Sequence, residues 1–264
     1  MGKKMSNAPV YFTVAQVRFN PVLNMEGYLA AIQEKMRTAH FPDFKRDTIQ
    51  RLMVPFGSPG SDGQAPTPSF VPQARCIFGN REGTTEFVLE NSALALQTTT
   101  YETFEAFSKT LLDGLSIVHD ALRLDFTERV GLRYLDAVLP KGNESLSDYL
   151  TTEVLGLSHK LVGILSHSFS ETITINASGQ LISRIIIRNG RVGLPPELMV
   201  LAPRLNSKFT DAEGMHAIID TDAFSDQREA FNLEKLGDRL LALHGEILKS
   251  FEATVTPSAL TIWA

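Results

Sequence analysis

The run Arg129-Val-Gly-Leu-Arg-Tyr-Leu135 puts arginines on one side of an extended chain and Val130, Leu132 and Tyr134 on the other. A period of two is the mark of a strand with one buried face, and it does not suit a helix. The same kind of signal recurs along the chain. Tyr11–Phe19 is rich in β-branched and aromatic residues and is stopped by Pro21. Short strands are predicted at Arg75–Phe78, Thr85–Leu89 and Leu94–Thr98, with turns at Gly79-Asn80 and Glu90-Asn91-Ser92. Glu171–Asn176 and Leu181–Arg188 flank Ala177-Ser178-Gly179-Gln180, a hairpin turn. Further strands are predicted at Met199–Leu201 and His216–Thr221. Strands joined by turns this short must pair antiparallel.

Between these strands the apolar period changes to that of a helix. A helix is predicted over 25–38, with Asn24 as its N-cap. Phe104, Phe107, Leu111, Leu115, Val118 and Leu122 form one stripe, with Thr99 and Glu102 as the expected capping box. Leu146 to Leu161 reads as a helix bent or broken at Gly156. Leu233, Leu236, Leu240, Leu243, Ile247 and Phe251 mark a last helix over about 232–252, capped by Asn232. The predicted fold class is therefore α+β, with antiparallel sheets and long amphipathic helices packed on one face. A faint echo between Leu111-Leu112-Asp-Gly-Leu115 and Leu240-Leu241-Ala-Leu243 points to two similar α+β halves, 1–140 and 141–264. Residues 55–72, dense in Pro and Gly, read as a flexible loop and a tolerated insertion.

A chain of 264 residues with 43% hydrophobic content builds a core without disulfides or metals. Its single cysteine, Cys76, has no internal partner and suits a reducing compartment. The Lys3-Lys4 pair is followed by no apolar run, so no signal peptide is expected, and no stretch is apolar enough to span a bilayer. The expected setting is cytoplasmic, with no membrane partner. The formal net charge of −5 gives no global pull toward nucleic acid.

Phosphate-loop, dinucleotide, nucleophile-elbow and zinc-protease motifs are all absent, so no catalytic residue, metal ligand or cofactor is assigned. Among the six histidines, His119 and His244 are read as cations near the ends of the two long helices. His159 and His167 are read as wet side chains at a helix end. His216, Asp220 and Asp222 are read as a strand running into a turn, with a hydrolase near His167, Glu171, His216 and Asp220 as one alternative. The stronger signal is arginine on strands. Arg129 and Arg133 share a face of their strand, and with Arg18 they form one polar sheet face if their strands are adjacent, while Arg184 and Arg188 share a face of the later hairpin. Forked guanidinium groups suit carboxylates, phosphates or nucleic-acid backbone, and Gly131 leaves room for a ligand. The competing reading is a solvated face that pairs with Glu86, Glu90, Glu128 and Glu171. Trp263, with Ala259, Leu260 and Ile262, is read as a tail packed on the fold, or as an aromatic contact for a partner.

Six strings occur in order: Ala15-Gln-Val-Arg-Phe-Asn-Pro21, Leu96-Gln-Thr-Thr-Thr-Tyr-Glu-Thr-Phe-Glu-Ala-Phe107, Arg129-Val-Gly-Leu-Arg-Tyr-Leu-Asp136, His167-Ser-Phe-Ser-Glu-Thr172, His216-Ala-Ile-Ile-Asp-Thr-Asp222 and Phe251-Glu-Ala-Thr-Val-Thr-Pro257. Together they resemble a sporadically distributed, functionally uncharacterised bacterial family of hypothetical proteins about 260 residues long. The resemblance runs from about residue 10 onward and is weakest at 55–72. It implies a bacterial, cytoplasmic protein and no chemistry. Patchy distribution implies an accessory component of a defence, immunity or toxin–antitoxin module. The function expected is a non-catalytic interaction protein that contacts another protein through the arginine-bearing face or the tail. Nucleic-acid or nucleotide binding on the arginine face is the alternative. The oligomeric state is not readable.

Overall fold

The computed structural model describes residues 7–53, 69–199 and 203–264, less the side chains of 49–53, 69–73 and 199. The chain runs β1 (Val10–Phe19), α1 (Leu29–Thr38), β2 (Asp43–Met53), β3 (Ser69–Gly79), β4 (Thr85–Glu90), β5 (Ala93–Thr98), α2 (Phe104–Leu122) and β6 (Phe126–Val138). It continues α3 (Leu146–Tyr149), α4 (Thr152–Leu155), β7 (His167–Asn176), β8 (Gly179–Arg191), α5 (Pro196–Met199), α6 (Ser207–Thr210), β9 (Glu213–Ser225), β10 (Glu229–Ala230), α7 (Leu233–Thr254) and α8 (Pro257–Trp263). The architecture is mixed α+β around one antiparallel sheet in the order β2-β3-β4-β5-β1-β6-β9-β8-β7, with β10 a short addition to β6. That sheet crosses residue 140 without interruption, because β6 pairs directly with β9.

β1 and β6 occupy the middle, and their register sorts side chains to two faces. Val17, Val130, Leu132 and Tyr134 join Phe78, Phe87, Leu94 and Leu96 in a core closed by Ile32 and Met36 of α1, Phe107, Leu111 and Leu115 of α2, and Leu236, Leu240 and Leu243 of α7. A second core on the same side gathers Val138, Ile185, Ile187, Ala217 and Ile219 against Tyr149, Leu150, Val255 and Trp263. On the opposite face a smaller cluster forms where Tyr11, Phe12, Leu135 and Ile218 meet Val192 and Phe209, with Leu194, Leu198 and Leu205 packed around them.

Several local expectations change, each for a physical reason. The helix predicted over 25–38 opens as a 3-10 turn, Met25–Tyr28, and Asn24 makes no side-chain capping bond. Asn24 instead lies over Gly27, so close that a Cβ there would sit 2.8 Å from its Nδ2. The cap of α2 is Thr103, whose hydroxyl accepts from the Ala106 amide at 3.2 Å. The predicted cap, Thr99, donates its hydroxyl to the Arg204 carbonyl at 2.8 Å and so ties down another segment. Asn232 caps α7, accepting from the Lys235 amide at 3.0 Å. The helix predicted from Leu146 to Leu161 divides into α3, α4 and a 3-10 turn. Leu150 is extended and forms a bridge with Val255, and Gly156 ends α4 at φ +53.

β2 carries no sequence prediction because Lys45, Arg46 and Asp47 interrupt its apolar pattern. It is an edge strand, where such charges are tolerated and discourage pairing with another chain. Arg46 reaches Glu26, and Asp47 pairs with buried Arg75 at 2.5 Å. Of the loop predicted over 55–72, residues 55–68 lie outside the described residues, and 69–72 belong to β3. β3 meets β4 over Cys76–Gly79, and among the described residues Pro72 pairs with β2 alone, which suits a residue with no N–H to donate. Of the strand predicted at Met199–Leu201, Met199 ends α5 and the rest lies outside the described residues.

Helix α2 lies against the sheet at Gly114, where an added Cβ would overlap the Phe87 ring. Gly114→Val is expected to destabilise the fold by about 1–3 kcal/mol, the cost of overpacking, despite valine's better helix propensity. Urea denaturation checks this, and a neutral result would mean that the helix can lift off the sheet freely.

Candidate functional site

The five arginines singled out by sequence all fall on the face opposite α1, α2 and α7. Arg18 stands directly opposite Arg129 on β1 and β6, while Arg184 and Arg188 lie on β8 beside Asp220 and His216 of β9. What the sequence pattern does not reveal is how thoroughly most of them are paired.

Arg133 is the centre of the arrangement. Its Nε and a terminal nitrogen both donate to the Asp220 carboxylate, each at 2.7 Å. The same terminal nitrogen donates to Glu197 of α5 at 2.9 Å. Asp220 is 1% exposed and Arg133 9% exposed, so the forked pair is desolvated. Arg184 continues the row, donating to Glu171 at 2.6 Å and lying 3.6 Å from Asp220. A single ladder thus runs Glu171–Arg184–Asp220–Arg133–Glu197 across β7, β8, β9, β6 and α5. The order follows from antiparallel register, since Glu171, Arg184 and Asp220 are cross-strand partners.

The remaining arginines are placed differently. Arg129 donates to Asp226 at 3.1 Å and lies 3.6 Å over the Phe224 ring. Arg188 donates to the Arg191 carbonyl at 3.3 Å and to His216 at 3.4 Å. Arg18 has no ionic partner among the described residues. Gln16, Arg129, Gly131, Arg133 and Asp222 line a shallow cleft of about 210 Å³. A Cβ on Gly131 would make only ordinary contact with Phe224, at 3.6 Å, so the glycine widens the floor without being sterically required. Burial raises the Asp222 carboxyl above the usual range, with Arg133 opposing that rise.

The residues of the hydrolase alternative share this face but are separated by arginine. His167 and His216 flank Arg188, and Glu171 and Asp220 flank Arg184. Among the described residues no group of three or more His, Cys, Asp or Glu side chains could hold a metal ion. Of the two helix histidines, His119 lies in the last turn of α2, as expected, and His244 does not lie near a helix end. His119 stacks on Phe231 at 4.2 Å, while His244 lies in the middle of α7, stacked on Phe104 at 4.2 Å, with its pKa lowered by burial. Trp263 is 4% exposed and packs on Tyr149 and Phe251, so its ring belongs to the second core and is not displayed.

One surface stands apart from the ladder. β7 ends the sheet, and nearly all of its residues are exposed. Phe169, Ile173 and Ile175 are 57%, 53% and 81% exposed, and all three point to the ladder side. Just before the strand, Val162 and Ile164 are also fully exposed. A strand over 171–176 was legible in the sequence, but nothing there said that it lies at an edge.

No protein-family model matches the chain, and no curated protein matches it. Among the described residues no helix is long and apolar enough to cross a membrane.

The ladder yields a stability prediction. Arg133→Ala leaves Asp220 buried without its forked partner and is expected to cost about 3–5 kcal/mol in urea denaturation. The double replacement Arg133→Met with Asp220→Leu is expected to recover most of that loss, because it removes both buried charges together. A double variant as unstable as the single one would assign the ladder's role to something other than charge pairing.

Proposed function

We propose that this chain is a non-catalytic interaction protein that receives an extended segment of a partner protein along the outer edge of β7. The observation that carries the reading is β7 itself, with its large apolar side chains exposed and its outer backbone edge unpaired among the described residues. Such a row of free N–H and C=O groups is a template for strand addition, in which backbone bonds supply affinity and alternate side chains supply specificity.

The contrast between the two sheet edges supports the reading. β2 guards its edge with Lys45, Arg46 and Asp47. β7 has neither lysine nor proline, and its one carboxylate, Glu171, is neutralised by Arg184. The partner segment it suits is apolar on the side facing Ile173 and Ile175, and small and polar on the side facing Thr172 and Thr174. The arginine pairing argues against the nucleic-acid alternative, since a phosphate would have to displace carboxylates from Arg129, Arg133 and Arg184. A bacterial, cytoplasmic accessory role in a defence, immunity or toxin–antitoxin module belongs to the same proposal and rests on the sequence resemblance.

The test compares tagged wild type with Ile173→Lys, captured from native cells and then purified. Wild type is expected to retain one stoichiometric protein that slows amide exchange along β7. Ile173→Lys is expected to lose that protein while keeping the wild-type thermal transition. Equal capture by both, or protection elsewhere on the surface, would overturn the reading. Nucleic acid that salt releases would move the site to Arg18 and its neighbours.

A further inference from the structure

The helical side of the sheet holds a cavity of about 200 Å³, open to solvent, where the two cores part between the start of α2, the C-terminal half of α7 and the end of β6. Its walls include the aromatic side chains of Tyr101, Phe104, Tyr134 and Phe251. At its base lies Asp136, 8% exposed. Tyr134, Asp136 and Val138 alternate along β6 toward the helices, so a carboxylate occupies a position that its neighbours fill with core side chains.

The hydrogen bonding around Asp136 is specific in what it leaves open. Tyr134 donates to the Tyr101 hydroxyl at 3.1 Å and lies 3.3 Å from Nδ1 of His244. With its one proton spent on Tyr101, Tyr134 accepts from a neutral His244 protonated at Nδ1. Among the described residues that network does not reach Asp136. Among the described residues the Asp136 carboxylate has neither a hydrogen bond nor an ion pair, and no cation faces it. The titratable groups around the cavity are Tyr101, Glu102 and Glu105 near the start of α2, Tyr134 on β6 and His244 on α7, with Asp220 nearby on β9.

We propose that this cavity is a binding site for a small primary amine with an apolar body, its ammonium group paired with Asp136 and flanked by the tyrosine rings. A buried carboxylate without a partner is costly unless something of opposite charge meets it. Electron-rich ring faces add to the attraction for a cation. The acidic surroundings exclude an anion. A single carboxylate is a poor metal site, whereas an ammonium group needs only one carboxylate and a few acceptors. The volume suits a compact ligand.

Burial first, and the Asp220 charge second, push the Asp136 carboxyl up to about 7. Below that pH the carboxyl is protonated and offers an amine no counter-charge, while above it the ionised form pairs. Amine affinity should therefore rise about tenfold between pH 6 and pH 8, where the ionised fraction climbs from about a tenth to about nine-tenths.

The test is isothermal titration calorimetry of the full chain with benzylamine and with benzyl alcohol, its neutral counterpart of similar shape. Benzylamine is expected to bind saturably and to tighten with pH as stated. Benzyl alcohol is expected to bind at least tenfold more weakly at pH 8. Asp136→Asn, which replaces the carboxyl by a neutral group of its size, is expected to lose the pH dependence and to bind the amine at least tenfold more weakly. Equal binding of amine and alcohol by wild type would overturn the proposal without any variant. So would unchanged amine binding by a folded Asp136→Asn, or no saturable amine binding at millimolar concentration.

Discussion

The alternation of β6 is the constraint on which the rest of the molecule depends. The strand lies between β1 and β9 at the middle of the sheet, so each of its residues is committed to one face. Val130, Leu132 and Tyr134 face α2 and α7, and Val138 faces the second core, while Arg133, Leu135 and Ala137 face the other way. A one-residue slip would exchange the sets and place Arg133 under the helices. The bidentate bond between Arg133 and Asp220 helps to fix the register, because its geometry is available only when β9 stands where it does. Buried ion pairs are weak evidence for net stability, but they penalise the wrong alignment heavily.

The face turned away from the long helices is covered in two different ways. Near its middle, Val192 and Phe209 close over Tyr11, Phe12 and Ile218, and the Tyr11 hydroxyl donates to the Gly193 carbonyl at 2.9 Å. Glu197 reaches down from that cover to Arg133, so the ladder joins the sheet to the strap above it. Toward β7 the described residues on this face include the Glu171–Arg184 pair and the apolar Phe169, Ile173 and Ile175. Paired charges are mutually satisfied and need no partner, whereas exposed Phe169, Ile173 and Ile175 still gain by burial. For that reason the proposed docking place lies on the strand rather than on the arginines.

Period was legible in the sequence and position was not. The strands at 11–19, 129–135 and 171–188 were readable because their alternation is clean and their turns are short. β2 was not, since its charges are an adaptation to an edge, and an edge exists only in the assembled sheet. Parity alone groups Arg129 with Arg133 and Arg184 with Arg188, and only the strand order puts both pairs and Arg18 on one face. Their carboxylate partners could not be assigned, because Asp220 and Glu197 are 87 and 64 residues from Arg133. Trp263 could be read either as an anchor or as a contact, and only the packing of Tyr149 and Phe251 around it places the ring inside. Asp136 was hidden for a similar reason. A carboxylate one residue beyond an apolar run looks like the end of a strand, and only the continuation of β6 to Val138 shows that it is buried.

The two proposed places lie on opposite faces, and electrostatics decides how far they communicate. Asp220 raises the Asp136 carboxyl through the sheet, and Asp220 also belongs to the ladder that ends at Glu171 on β7. A cation bound at Asp136 would relieve that repulsion, and linkage would return the effect to the ladder in equal measure. The magnitude is limited, because Arg133 holds the Asp220 carboxylate in a two-bond fork and already compensates its charge. Burial, rather than Asp220, is the larger cause of the Asp136 shift. The cavity's preference for a cation therefore arises on its own side of the sheet, and the fate of β7 does not decide it.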